Sequence, residues 1–260
     1  MFSRFCEAVK TVIERSRKLK HVSFGCSEDI LAHSGSLLES LASGHCGSLE
    51  GIHLASVKED SDNYGIIDLN VDLFGKFHGL KHISLDFDFV DSKLLKAFCR
   101  NGKPSLETVV IHIHGIEPDH EIISNTLWQQ FTSYNKKVEV TLNLIHSVTG
   151  VQKLVDILKP ALPLAHFRQF FCTQISTAAI GLISNQYSRS LKSLHIIDGM
   201  AYGIPAWYDI GNIEDPFVML AWRCPHLSHF SLIGEQGFTV IKMKYYIHQT
   251  PWLISSTRQC

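Results

Sequence analysis

The most regular feature of the chain is a spacing of apolar residues that recurs along its length. The string LKHVSF at 19–24 returns as LKHISL at 80–85, and both follow the pattern L-x-x-L-x-L. Strong copies begin at Leu19, Leu49, Leu80, Leu106, Leu191 and Leu227, and weaker copies cover 138–144 and 167–172. The copies are spaced by about 24 to 36 residues, at or above the roughly 20–29-residue period of leucine-rich repeats. The fourth and sixth residues of each copy are expected on the buried side of a strand.

Segments with helical spacing of apolar residues alternate with these copies. They cover 2–17, 30–42, 91–100, 122–134, 151–158 and 216–222, and Asp91 or Ser92 is expected to cap the third helix. The alternation predicts an α/β fold, a right-handed leucine-rich-repeat solenoid with parallel strands on the concave face and helices on the convex face. About eight irregular repeats are expected over 1–235, with a divergent C-terminal tail over 236–260. A doubly wound α/β domain is the alternative.

The repeats resemble those of one protein family. The segment 222–232, WRCPHLSHFSL, is similar to the C-P-x-L-x-x-L-x-L opening of cysteine-containing leucine-rich repeats in F-box proteins. The segments 53–62, 113–117 and 215–218 resemble one branch of the F-box-only proteins.

The resemblance implies a function as well as a fold. F-box proteins are substrate receptors of cullin–RING (SCF) ubiquitin ligases, in which the F-box binds Skp1 and the repeats hold the substrate. An F-box begins with a Leu-Pro stretch and precedes the repeats, whereas here the repeats begin within the first 25 residues. The chain is therefore expected to keep substrate binding, and to contact Skp1 and cullin only in a longer form that contains an F-box.

Composition narrows the classes of partner. The net charge is −1 with histidines neutral, which is unlike the basic surface of a nucleic-acid binder. No apolar run is long enough to span a membrane. The seven cysteines are odd in number and contain no C-x-x-C pair, so we expect thiols in a reducing compartment, the cytoplasm or the nucleus. Neither a cofactor nor a partner other than protein is expected.

Polar residues between the inward apolar positions are expected to point out of the concave face. Histidine is frequent among them, and its ring both donates and accepts hydrogen bonds. We expect a protein partner to bind there, with an affinity that changes as histidines protonate; a solvated surface without a partner is the alternative. The predicted residues are His21, His53, His82, Ser84, Thr108, His112, His114, Thr141, Asn143, Gln169, Ser193, His195 and His229.

Other candidate chemistry is weaker. A metal site is conceivable around three histidines and three nearby carboxylates, but their spacing matches no recognised ligand pattern. The residues are His112, His114, His120, Glu117, Asp119 and Glu121. His45 beside Cys46 fits a turn better than a nucleophile and its base, and 60–64 contains only part of a calcium loop. The loop 205–209 has Trp207 and Tyr208, which could anchor a partner or pack on the repeats.

Three functions remain open from the sequence. The first is a non-catalytic substrate-recognition module for ubiquitination. The second is a leucine-rich-repeat scaffold or inhibitor unrelated to ubiquitin. The third, an enzyme with a histidine-based site, requires histidines that converge in one pocket, whereas the repeat pattern spreads them over many strands. No P-loop, G-x-S-x-G or G-x-G-x-x-G string is present.

Overall fold

The structure, a computed structural model, describes residues 2–25, 28–99, 106–198, 216–234 and 237–239. Nine strands form one sheet: β1 His21–Ser23, β2 Gly51–His53, β3 His82–Asp86, β4 Thr108–Ile113, β5 Glu139–Ile145, β6 Leu164–Phe170, β7 Ser193–Asp198, β8 His229–Gly234 and β9 Gly237–Thr239. Strands β1 to β8 pair in parallel with their neighbours in chain order. This confirms the α/β class and the parallel sheet, and the sequential order is consistent with a solenoid-like arrangement.

Helices fill most of the connections between strands. They are α1 Phe2–Arg15, α2 Glu28–Ala32, α3 Ser34–Gly44, α4 Ser92–Ala97, α5 Asn125–Tyr134, α6 Val148–Ile157, α7 Thr177–Gln186 and α8 Pro216–Arg223, with 3-10 turns at Val71–Lys76 and Phe87–Phe89. The helix expected over 30–42 is two helices, and α7 was not predicted. The backbone N–H of Leu94 donates to Asp91 Oδ1 at 2.8 Å, so Asp91 caps α4 as predicted. Ser124, Ser147 and Ser176 cap α5, α6 and α7 in the same way.

One apolar cluster joins the helices to one side of the sheet. The fourth residue of most strong repeat copies, such as Ile83 or Leu194, is buried in it, together with helix residues such as Leu41 and Leu154, and Val22 of the first copy packs against it half-buried. The leading leucines Leu49, Leu80, Leu106, Leu191 and Leu227 are all at most 3% exposed. Since these residues enter the core before each strand, their recurrence fixes where each strand begins.

The weak copy at 167–172 is aligned differently from the prediction. The sequence predicts Phe167 at the leading position, but Phe167 pairs with Leu194 of β7, which holds the fourth position of its copy. On the other side it pairs with Leu142 of β5, which is aligned with the sixth residue of the copy that begins at Leu106. Leu164, fully buried, is the leading residue. A bulge between Val140 and Thr141, where β6 has one extra residue, accompanies this change of register.

The C-terminal end of the sheet differs from the rest. β9 runs antiparallel to β8, with Leu232 opposite Thr239. The domain boundary expected at 235 stays a prediction, because most of 236–260 lies outside the described residues. None of the helices that the structure describes combines the length and apolarity needed to cross a bilayer.

Candidate functional site

The side of the sheet opposite the helices, called here the open face, carries polar side chains on most strands. One row across β1 to β8 contains Ser23, His53, Ser84, Val110, Thr141, His166, Ser193 and His229. A second row, from β3 to β8, contains Asp86, His112, Asn143, Arg168, His195 and Ser231. His21, His82, Thr108 and Glu139 form a third row at the strand starts.

Most residues predicted for partner binding lie on this open face. Eleven of them are in strands: His21, His53, His82, Ser84, Thr108, His112, Thr141, Asn143, Ser193, His195 and His229. His114 follows β4 directly and contacts the same carbonyl as His112. The structure therefore places these twelve residues together on or beside the open face, while their role in binding stays a prediction.

Gln169 was placed on the wrong side of the sheet. It pairs with Leu144 and Ile196, whose side chains are in the core, and only 1% of it is exposed. Its Nε2 donates to the carbonyl oxygen of Gln174 at 2.6 Å, which satisfies the buried amide. The misplaced leading residue caused this error, because a shift by an odd number of residues exchanges the two faces of a strand.

Several open-face residues are too enclosed to touch a partner. Thr141, Asn143 and Ser193 are 5%, 6% and 4% exposed. Their side chains are short and lie in central strands, where taller neighbours cover them; the Ser193 hydroxyl, for example, is 2.8 Å from Nδ1 of His166. The accessible surface is thus narrower than the one the sequence predicts.

The accessible polar residues of the second half of the sheet form the β6–β8 patch: His166, Arg168, His195, His229 and Ser231. Arg168 and His229 are exposed, and the other three are half-buried. Nδ1 of His195 lies 2.6 Å from the Ser231 hydroxyl, which holds the ring in place. Arg168 shares β6 with His166 and is paired with His195 of β7 in the register.

Charged residues border this patch at the strand starts. Glu139 accepts from Lys192 Nζ at 2.5 Å, and its other carboxylate oxygen is 3.6 Å from Nε2 of His166. Burial lowers the pKa of His166 and of His195 below the ordinary value of 6.5, and the positive charge of Arg168 lowers both further. Glu139 opposes the shift of His166 only in part. Both rings are therefore neutral at pH 7.

In the first half of the sheet, the loop 54–66 folds over the open face. Ser56 in this loop is fully buried against Asp86 at the end of β3, which is 1% exposed. The Ser56 backbone N–H donates to Asp86 Oδ1 at 2.9 Å, and its hydroxyl donates to Oδ2 at 2.6 Å. The loop is thus fixed to the strand by one carboxylate.

Two histidines complete what we call the covered cluster: Ser56, Asp86, His112 and His114. Nδ1 of His112 and Nε2 of His114 each lie 3.0 Å from the Ser56 carbonyl oxygen. Nε2 of His114 is also 3.9 Å from Asp86 Oδ1. Burial lowers the pKa of both histidines, so at neutral pH they donate to the carbonyl as uncharged rings.

A buried ion pair lies beside the covered cluster. Lys58 Nζ is 2.6 Å from Asp88 Oδ2, and the two side chains are only 1% and 7% exposed. The ammonium group is also 5.4 Å from the centre of the Tyr64 ring. Gly115, which follows His114, lets the loop 54–66 pass close to the backbone there, because a Cβ at this position would lie 2.5 Å from the Ser61 carbonyl oxygen.

The other sequence candidates are placed as follows. His120 is not with His112 and His114, because its ring packs on Phe87 with centroids 4.7 Å apart. His45 Nε2 bonds to the Ile13 carbonyl oxygen at 2.8 Å. Asp62 lies in the loop 54–66, where its N–H donates to Asp60 and its carboxylate accepts from Tyr64. The loop 205–209 lies outside the described residues.

Asp86 was missed as a member of the histidine cluster. It holds the same repeat position as His112, directly after the sixth residue of its copy, and the register pairs the two. The alignment of the copies that begin at Leu80 and Leu106 places Asp86 beside His112, so the sequence already contained this signal.

Comparison with known proteins identifies two relatives. The chain is 26% identical to F-box only protein 33 of Homo sapiens over 237 residues, which cover 88% of this chain and 40% of the relative. The values for F-box only protein 33 of Mus musculus are the same. No protein-family model matches the chain.

The chain is distantly similar to an F-box protein. This similarity supports in part the resemblance to F-box proteins that segment 222–232 indicates. The chain spans well under half of the length of these two relatives. The similarity supports a relationship to F-box proteins and does not show which type of repeat the chain contains.

Proposed function

We propose that this chain is the substrate-recognition part of an F-box-type receptor of an SCF ubiquitin ligase. The observation that carries the proposal is the similarity to F-box only protein 33 over 88% of the chain. In this proposal the chain acts as a protein-binding module and not as an enzyme. It acts in the cytoplasm or the nucleus, and it binds no nucleic acid, membrane or cofactor.

The finer fold that we propose is a right-handed leucine-rich-repeat solenoid. Parallel strands in chain order and buried leading leucines support it. The recurring spacing also supports it, since each unit buries its apolar side only against its neighbours. The open face is then the concave face, which offers an extended binding surface.

Within that face, the substrate binds at the β6–β8 patch. Arg168 supplies several N–H donors in a fixed planar fork, which suits a carboxylate or backbone carbonyl groups of a protein. His195 and His229 add rings that donate or accept. The first half of the sheet contributes less, because the loop 54–66 occupies part of it.

Docking to Skp1 and cullin belongs, in this proposal, to the full-length form with an F-box. The chain covers only 40% of the relatives' length, so the remainder leaves room for such a segment.

The test is affinity capture from cells with the full-length gene product, comparing wild type with Arg168→Glu and with Asp156→Arg. Asp156 is exposed on α6, on the helical side, and serves as a matched charge reversal. We expect the wild type and Asp156→Arg to recover Skp1, cullin and a shared set of proteins, and Arg168→Glu to recover Skp1 and cullin but lose most of that set. Recovery of partners without Skp1 and cullin contradicts the ligase assignment and favours a leucine-rich-repeat scaffold or inhibitor.

A further inference from the structure

The covered cluster brings together three side chains that can hold a metal ion. Asp86, His112 and His114 each offer one ligand atom, and these atoms all lie within 4.8 Å of one another. We propose that they form a structural site for a divalent transition-metal ion, with Zn²⁺ as the best fit. This inference is independent of the proposed ligase function.

The backbone presents the ligands from two rigid, adjacent strands. His112 in β4 and His114 just after it are two residues apart, so their rings lie on the same side of the strand. Asp86 ends β3 and is paired with His112 in the register. Since Asp86 and His112 lie on paired strands, their separation is fixed, and the loop 54–66 contributes only to the fourth position.

The carboxylate of Asp86 is the strongest reason to expect a cation. It is 1% exposed, and among the described residues no lysine or arginine forms a salt bridge with it. Lys58, the nearby ammonium group, is bound to Asp88. Buried charges are normally paired with an opposite charge or bound to a metal, because the loss of hydration is otherwise too costly. The hydrogen bonds from Ser56 compensate only part of this loss.

The spacing of the ligands requires only a small adjustment. A tetrahedral zinc ion with bonds of about 2.0–2.2 Å keeps its ligand atoms roughly 3.3–3.5 Å apart. Nε2 of His114 and Oδ1 of Asp86 are 3.9 Å apart, and the whole set lies within 4.8 Å. Movements of about an ångström or less therefore close the site around the ion.

Without a metal ion, Nδ1 of His112 and Nε2 of His114 each donate a hydrogen bond to the Ser56 carbonyl oxygen. When the ion binds through those nitrogens, each neutral ring keeps its proton on the other nitrogen, so no net proton is released. The Ser56 carbonyl, 3.0 Å from each ring nitrogen, or a water then fills the fourth position. The Ser56 hydroxyl continues to hold Asp86 Oδ2, which orients the carboxylate as an outer partner.

Two imidazoles and one carboxylate favour particular metals. Imidazole suits zinc, copper, nickel and iron, whereas calcium and magnesium select oxygen ligands. The bound ion ties the loop 54–66 to β3 and β4, and therefore stabilises the part of the open face that this loop covers.

The test uses the chain without a polyhistidine tag, stripped with a chelator and titrated with ZnCl₂ by calorimetry and thermal unfolding. We expect one zinc per chain, and a melting temperature higher by roughly 5 °C at zinc a hundredfold above Kd. His112→Gln with His114→Gln should weaken zinc binding by about tenfold or more, which corresponds to about 1.4 kcal/mol or more. His166→Gln with His195→Gln removes two histidines from the same face and should leave the affinity unchanged.

Two results overturn the proposal: zinc binding that is equally strong in the His112/His114 variant, or no binding by the wild type below about 0.1 mM. If that variant does not fold, X-ray absorption of the zinc-loaded wild type decides. Nitrogen and oxygen neighbours with two imidazoles support the site, whereas sulfur neighbours place the ion on cysteines and contradict it.

Discussion

The covered cluster and the β6–β8 patch lie on the same face of the sheet and differ in exposure. His112 and His195 lie in the same row of the open face, one under the loop 54–66 and the other beside the exposed Arg168. The alternation of side chains along each strand therefore determines which face a side chain takes. The connection that follows the strand determines whether that side chain meets a neighbour in the chain or remains available to a partner.

The largest expected difference between the two regions concerns their ion pairs. Lys58→Met leaves Asp88 as a buried carboxylate without its partner and should lower the free energy of unfolding by about 3–5 kcal/mol. Lys192→Met removes the corresponding pair with Glu139, whose side chains are 47% and 39% exposed, and should cost less than about 1 kcal/mol. Urea unfolding monitored by circular dichroism measures both.

The double variant Lys58→Met, Asp88→Leu sharpens this test. It removes both charges together and should recover most of the stability that Lys58→Met loses, because no lone buried charge remains. Equal losses for Lys58→Met and Lys192→Met would show that the loop 54–66 is not packed as described.

A smaller effect is expected from glycine replacements. Gly115→Ala places a Cβ 2.5 Å from the Ser61 carbonyl oxygen and 2.8 Å from the Tyr64 hydroxyl, and displacing the loop should cost about 1–3 kcal/mol. Gly181→Ala in α7 meets nothing within 4 Å and should stabilise the chain by up to about 1 kcal/mol. Thermal unfolding of the two variants gives opposite signs; the same sign for both contradicts the close contact at Gly115.

The smallest expected effect is a dependence of stability on pH. Burial lowers the pKa of His53, His112, His114, His166 and His195 in the folded chain below the ordinary value of 6.5. Since the unfolded chain binds these protons more readily, the free energy of unfolding is largest above pH 6.5 and falls as the pH drops below it. Unfolding in urea between pH 5 and pH 8, with a chelator present, measures this fall.

The comparison between the regions predicts which variant flattens that curve. His112→Gln with His114→Gln should reduce the dependence more than His166→Gln with His195→Gln, because the covered rings are more enclosed. A stability that rises as the pH falls through 6 would contradict the enclosed environment of these histidines.

Much of the strand layout could be predicted from the sequence, for a physical reason. A leading leucine such as Leu80 and inward residues such as Ile83 must all be apolar, so their spacing records the strand and its face. Gln169 shows where this fails: a polar residue occupies an inward position, and the apolar Phe167 then takes the wrong place in the alignment.

The covered cluster could be predicted only in part. The histidines in β4 were visible, but nothing local indicates that Ser56 returns over β3 and accepts bonds from two rings. Such a contact depends on the path of the loop 54–66, which has no periodic pattern. Helix α7 was missed for a related reason, since Ser176 caps a segment with few large apolar residues.

The sequential order of the strands also sets how the chain folds and opens. Contacts across the sheet join residues that are close along the chain, for example 27 residues apart for His166 and Ser193 and 36 for His195 and Ser231. Closing such loops costs little entropy, so any adjacent pair of strands can start folding and neighbours can be added in either direction. Strands β1 and β9, each three residues long, lie at the two edges of the sheet that the structure describes and then open first, and amide hydrogens exchange most slowly in the long central strands β4 to β6.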